Sequence, residues 1–148
     1  MLRDAQRLRA DESAFAPCPR DKTAVRAWLG SAQDKVRDAG NVTVSIGTRF
    51  EAAYDAIFFV ALATLNAAGW KHRSVDGHHA FVLEAACSEV GASEATFDRL
   101  DAIREIRNQK YAGISRSEAD LRDALAACEE FSAISVAWLS AHHAPLLK

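Results

Sequence analysis

Proline is nearly absent from this chain: Pro17 and Pro19 sit near the start and Pro145 near the end. Nothing in the stretch 20–144 therefore carries the fixed ring and missing N–H that break a helix, and all of it is free to be helical. Cysteine is scarce and odd in number. Cys18, Cys87 and Cys128 lack paired spacing, which argues against a disulfide framework or a cysteine zinc site; the last two fall on apolar helix faces and read as reduced thiols of a cytoplasmic protein. Charge of one sign is also lacking. A net charge of −2 and a pI near 6.2 argue against a broad nucleic-acid footprint built on charge alone, though not against a local basic pocket. The most apolar run, 52–68, is interrupted by Tyr54, Asp55, Thr64 and Asn66, so no membrane span is expected, and no signal peptide opens the chain. The five histidines have no spacing that gathers three ligands, and neither a phosphate-binding glycine loop nor a Ser-His-Asp pattern occurs. No metal or cofactor is expected.

What is present is a helical pattern. With 148 residues, 49% hydrophobic and 26% charged, the chain has the length and balance of one domain around one core. Residues 1–20 alternate Arg with Asp and Glu and read as either a mobile arm or a short helix that packs late. Residues 21–148 read as a single helical-bundle domain. Its first helix follows Asp21 and stops at Gly40-Asn41. Val42, Val44 and Ile46 alternate like a strand, but with no second strand in view the segment reads as an extended connector. Thr48 and Glu51 form a capping-box pattern, after which Phe50, Ala53, Tyr54, Ile57, Phe58, Ala61, Leu62 and Leu65 run at a 3.6 period until Gly69. This is the expected core helix. A polar, basic loop (70–77) leads to a third helix over 78–90. Ser93 caps a fourth, and Ser115 with Glu118 suggests a second capping box opening a fifth. Short connections make neighbours antiparallel, so the expected fold class is all-α, an antiparallel up-and-down bundle of about five helices.

The fourth helix changes character along its length. Phe97, Leu100 and Ile103 give it an apolar face, which turns polar as Arg104, Arg107, Asn108 and Tyr111 follow along the same side before Gly113. Such groups cost desolvation unless they find partners or a ligand. Either a buried polar lock, with Arg107 and Asn108 held by Glu118 or Asp76, or a binding site belongs here. Counting back from the Gly91 turn brings His78 and His79 beside Arg107, with His78 toward the core and His79 on the flank. The same levels put the end of the second helix (Asn66, Trp70) beside the start of the fifth (Ser115, Glu118). Arg offers a rigid fork for phosphate, and His is the side chain suited to move a proton near neutral pH. A phenol with a pKa of ~10 suits positioning better than base catalysis, which is the role left for Tyr111.

Arg107-Asn108 followed by Tyr111, after Arg104; Gly77-His78-His79 on the preceding helix; and the run Arg49-Phe50-Glu51-Ala52-Ala53-Tyr54-Asp55-Ala56 occur in an order that resembles the HEPN superfamily of helical nucleotide- and RNA-associated domains. The last run is similar to an Arg-Phe-Glu-x-Ala-Tyr-x-Ala start in a small bacterial branch. The likeness covers roughly residues 48–139, with a core at about 45–141. Many members are metal-independent ribonucleases, often toxins, that use Arg followed four to six residues later by His across a homodimer. Here Arg107 and Asn108 match the beginning of that motif, while Tyr111, Ala112, Gly113 and Ile114 follow where its His would come. The resemblance thus implies a non-catalytic or weakly catalytic protein, a homodimer that binds RNA, a nucleotide or a partner. Arg104, Asn108, Tyr111 and His79 would be its ligand contacts. It further implies a toxin–antitoxin or defence setting with a nucleotidyltransferase-like or antitoxin partner. One alternative is a metal-independent ribonuclease with Arg107 as phosphate clamp and His78, or His79, as base. Another is a purely structural dimerising bundle in which the Arg-Asn-Tyr set is an internal lock.

Overall fold

A computed structural model describes residues 2–148. Asp21 accepts hydrogen bonds from the N–H groups of Thr23 and Ala24 and so starts α2 (Lys22–Ala39). Asn41 then bonds the Thr43 N–H and hydroxyl, folding residues 42–44 into a turn rather than the extended connector expected from their alternation. Ser45 caps the next helix, α3 (Ile46–Ala67), by accepting from the Thr48 N–H. The Thr48–Glu51 box does not form, because the Glu51 carboxylate is drawn to cations elsewhere. α3 is the core helix: it packs against α2 and against two later helices, α4 (His78–Val90) and α6 (Glu118–His142), and Phe50, Tyr54, Ile57 and Leu65 have no exposed surface. Gly91 in the left-handed conformation ends α4, and Ser93 caps α5 (Glu94–Asn108). A 3₁₀ turn, Gln109–Ala112, carries α5 to Gly113. The capping box of α6 is Ser117 with Asp120, two residues beyond the Ser115–Glu118 pattern. Arg116 is tied back to α3 and keeps the preceding residues outside the helix. The fold is an all-α helical bundle.

The N-terminal residues complete it. Leu8 of a short helix, α1 (Ala5–Arg9), is buried against α4, and Arg3 grips the buried Glu84 through its backbone N–H and guanidinium at 2.8–3.3 Å. Of the two readings of residues 1–20, the packed short helix describes residues 5–9. Phe15–Pro17 (β1) pairs antiparallel with Trp70–His72 (β2), Phe15 opposite His72 and Pro17 opposite Trp70. This two-stranded ribbon takes up residues expected to be arm and loop. Pro17 lies at its end, where no ladder donor is needed. Segment 68–77, through β2, also carries the chain back along α3, so α4 begins beside the middle of α3 and not at its end.

Two helices, Ile46–Ala67 and Glu118–His142, are long and apolar enough to cross a membrane by length and composition. In α3 the apolar window is 72% buried inside the bundle and in α6 33%, so the α3 run is the bundle's own core.

Candidate functional site

One stripe of α3 organises the site: Gly47, Glu51, Tyr54, Phe58, Leu62 and Leu65 recur at three- and four-residue steps and share a face. Tyr54 is fully buried, and its hydroxyl lies 2.7 Å from Nδ1 of His79. Tyr54 has no other hydrogen-bond partner, so its proton is satisfied by donating to His79, which leaves the His79 proton on Nε2. Burial, with the charges of His78, Arg107, His72 and Arg104 adding to it, pushes the His79 pKa down to about 4, so the ring is neutral. Burial likewise raises the Tyr54 phenol far above its ordinary value. The His79 ring stacks on Phe58 at 4.1 Å between centroids, with its edge toward His78 at 4.7 Å. His78 in turn stacks on His72 of β2 at 5.0 Å. Nδ1 of His78 lies 3.0 Å from the Val75 carbonyl; a carbonyl only accepts, so that nitrogen carries a proton, and in the neutral tautomer the lone pair is on Nε2.

Next along the stripe, one carboxylate faces three cations. Glu51 accepts from Lys110 at 2.7 Å and Arg116 at 3.2 Å, and Nε of Arg107 lies 3.6 Å away. Burial would raise the Glu51 pKa, but Lys110, Arg107 and Arg116 outweigh it and hold the group below the usual carboxylate range. Arg107 also lies over the Tyr54 ring, 5.0 Å from its centroid, and its buried Nε has no hydrogen-bond partner. Beyond Glu51 a polar cavity of about 350 Å³ is lined by Gly47, Lys110, Gly113, Ile114, Ser115 and Arg116. A Cβ at Gly47 would stand 2.6 Å from the Arg116 guanidinium, so glycine there lets Arg116 lie against the first turn of α3.

The residues singled out from the sequence are only partly gathered. Arg107, His78 and His79 come together. It is His79 that turns inward, onto Tyr54 and Phe58, and His78 that lies against β2, the reverse of the expected pair. Arg104 belongs to the cluster, but Asp101 at 2.9 Å and Glu105 at 2.6 Å already hold it. Asn108 is exposed, touching only Arg107 at 3.5 Å. Tyr111 is 78% exposed, its one aromatic contact the neighbouring Lys110 ammonium at 5.1 Å. It departs from the side of α5 that carries Arg104 and Arg107, the chain having tightened into a 3₁₀ turn there. The partner of Arg107 is Glu51, not Glu118 or Asp76. The end of α3 and the start of α6 lie at opposite ends of the stripe, since Arg116 meets Glu51 whereas Asn66 meets Asp21. Sequence reasoning missed Glu51, Tyr54, His72, Lys110 and Arg116. The partners of Glu51 lie far along the chain, 59 residues on at Lys110 and 65 at Arg116, and cannot be read from local spacing, but Glu51 and Tyr54 do sit at i and i+3 of the motif already singled out.

Among the described residues no group of three or more His, Cys, Asp or Glu is arranged to hold a metal ion. Burial raises the Cys18 thiol and pushes Cys87 up to about 12, so neither is a thiolate near neutral pH. No family model, curated protein or solved structure matches the chain.

Proposed function

We propose that this chain is a HEPN-like RNA- or nucleotide-binding protein, non-catalytic or weakly catalytic, whose phosphate contacts come from Arg107, Lys110 and Arg116. The observation that carries this reading is the charge count around Glu51: three cations against one carboxylate, beside a polar cavity. A further anion would offset part of the positive charge that remains, and a phosphate brings acceptor oxygens for the guanidinium forks. Labelled single-stranded RNA titrated in EDTA, read by fluorescence anisotropy, tests it. Binding should weaken as salt rises, and Arg107→Ala should weaken it about tenfold and lower the salt slope by about one counterion. Salt-independent binding, or none, would count against the reading.

Cleavage is the second reading, and His78 favours it, since the Val75 carbonyl leaves Nε2 free to take a 2′-hydroxyl proton. Cleavage also needs a group to protonate the departing 5′-oxygen. His79 is held neutral and the Tyr54 phenol is buried with a raised pKa, so neither is suited to donate. Binding without turnover is therefore the main reading. RNA cut by the wild type in EDTA, and spared by His78→Ala, would reverse that order.

A further inference from the structure

A second cavity, of about 290 Å³, lies where residues 18–21 lead from the ribbon into α2, at the opposite end of α3 from the Glu51 cluster. Its walls follow from how that link is fastened. The Cys18 N–H donates to the Gly69 carbonyl at 2.9 Å, the last rung of the ribbon, since Pro19 has no N–H to continue it. Nε of Arg20 then donates to the Ala67 carbonyl at 2.6 Å, and the Asp21 N–H to Oδ1 of Asn66 at 2.8 Å. These three bonds hold the link against the end of α3. Trp28 of α2, Trp70 of β2 and Leu62 and Leu65 of α3 supply the apolar lining, with Cys18 and Asn66 beside them.

Asn66 is the oriented polar group of this wall, and only 7% of it is exposed. A backbone N–H can only donate, so Oδ1 is the atom that faces Asp21 and the NH₂ turns the other way. There its one partner among the described residues is Sγ of Cys18, at 3.8 Å. A neutral thiol is a weak acceptor, and burial raises the Cys18 thiol. The NH₂ therefore keeps a donor at the cavity wall, and a buried donor calls for an acceptor. The rings are also free to receive a guest. His72 lines the cavity but is already stacked on His78, whereas among the described residues neither Trp28 nor Trp70 stacks on another ring; Trp70 meets only the Arg9 guanidinium, 5.4 Å from its centroid. We propose that this pocket binds a small flat heteroaromatic molecule, its ring against Trp28 and Trp70 and its carbonyl or ring-nitrogen acceptor on the Asn66 NH₂. The volume sits near the lower end of the roughly 300–1,000 Å³ of small-molecule sites, which suits such a guest and not a peptide. Because the bonds to residues 66, 67 and 69 already hold the link in place, little ordering opposes binding.

Cys18 reports on the pocket in the full chain. It is the partly exposed cysteine, Cys87 and Cys128 being buried, so N-ethylmaleimide in mildly alkaline solution should label it selectively, read by intact mass. Two probes of the same bicyclic shape are titrated against that reaction: benzimidazole, which has a ring-nitrogen acceptor, and indole, which has none. Benzimidazole should slow the labelling several-fold and saturably, and indole should need about ten times the concentration for the same protection. That comparison requires no variant. In Trp28→Leu, a change at a half-buried position, the benzimidazole concentration for half-protection should rise about tenfold. The proposal is overturned by any of three results: no protection by benzimidazole up to millimolar concentration, equal protection by the two probes, or protection unchanged in Trp28→Leu.

Discussion

Glu51 carries more of the site than any residue the chemistry of RNA would have suggested. Among the described residues it is the only carboxylate bonded to Lys110 and Arg116, and it also faces Arg107, so the three guanidinium and ammonium groups sit together around it. Arg107→Ala leaves Glu51 its two closer partners, and the fold should lose no more than about 1 kcal/mol. Glu51→Gln leaves three cations facing one another. It should destabilise the apo protein by about 1–3 kcal/mol yet tighten RNA binding, since an incoming phosphate then relieves the repulsion. Thermal melts and anisotropy on the same preparations separate the two effects; weaker RNA binding by Glu51→Gln would argue that the carboxylate positions the cations more than it competes for them. His79 makes a pH prediction. With its folded pKa near 4 against 6.5 in the unfolded chain, the unfolded state binds more protons between those values. The stability that neutral His79 contributes is complete above about pH 6.5 and lost as pH falls toward 4, worth at most about 1–2 kcal/mol for a half-buried ring. His79→Gln should flatten the decline in Tm between pH 6.5 and 5. Glu51 and Glu84 act in the same sense only in more acid solution, and Asp55, raised by burial, acts against them.

At the scale of elements, the long helices were legible because their caps and apolar periods are local. Asp21, Ser93, Gly91 and the 3.6-residue period of α3 all mark what they were expected to mark. The ribbon was not legible. Phe15-Ala16-Pro17 and Trp70-Lys71-His72 are each too short to carry a pattern, and what makes them strands is each other. The capping boxes show the same limit: Ser115–Glu118 and Ser117–Asp120 are equally good patterns, and the attachment of Arg116 to Glu51 selects the second. The ribbon also gives α1 its footing. Removing residues 2–17 would strip Phe15 and Leu8 from the core and leave the buried Glu84 without Arg3. We expect a fall in Tm of more than ~10 °C, from the loss of two apolar side chains and the pairing of a buried carboxylate. A truncated chain that melts with the full one would show that this layer adds nothing.

For the molecule as a whole, the meeting of Arg107 with the two histidines was legible, while Asn108 and Tyr111 stand outside the cluster and its arrangement was not foreseen. Residue counting along antiparallel helices brought Arg107 to His78 and His79, but it could not foresee the return of the chain through β2, which sets α4 against the middle of α3. That return makes the site a stripe and not one end of a bundle. We also propose a homodimer, as the resemblance implies. Light scattering at micromolar concentration should then give about 32 kDa, twice the 16.1 kDa chain, and a single-chain mass would dismiss it.

The β1–β2 pairing has a consequence for synthesis. Residues 15–17 leave the ribosome well ahead of residues 70–72, by roughly 3–11 s at 5–20 residues per second. During that interval Phe15, almost wholly buried in the finished protein, has no strand to pair with and no α4 to cover it. α2 and α3, adjacent in the chain and extensively packed, can dock first. His72 and Trp70 then arrive to capture a segment already waiting, and Glu84 and Glu89 follow to hold Arg3 and Arg9. The nascent N-terminus therefore waits for several seconds without its strand partner, and the cluster around Glu51 cannot close until Arg107, Lys110 and Arg116 have been made.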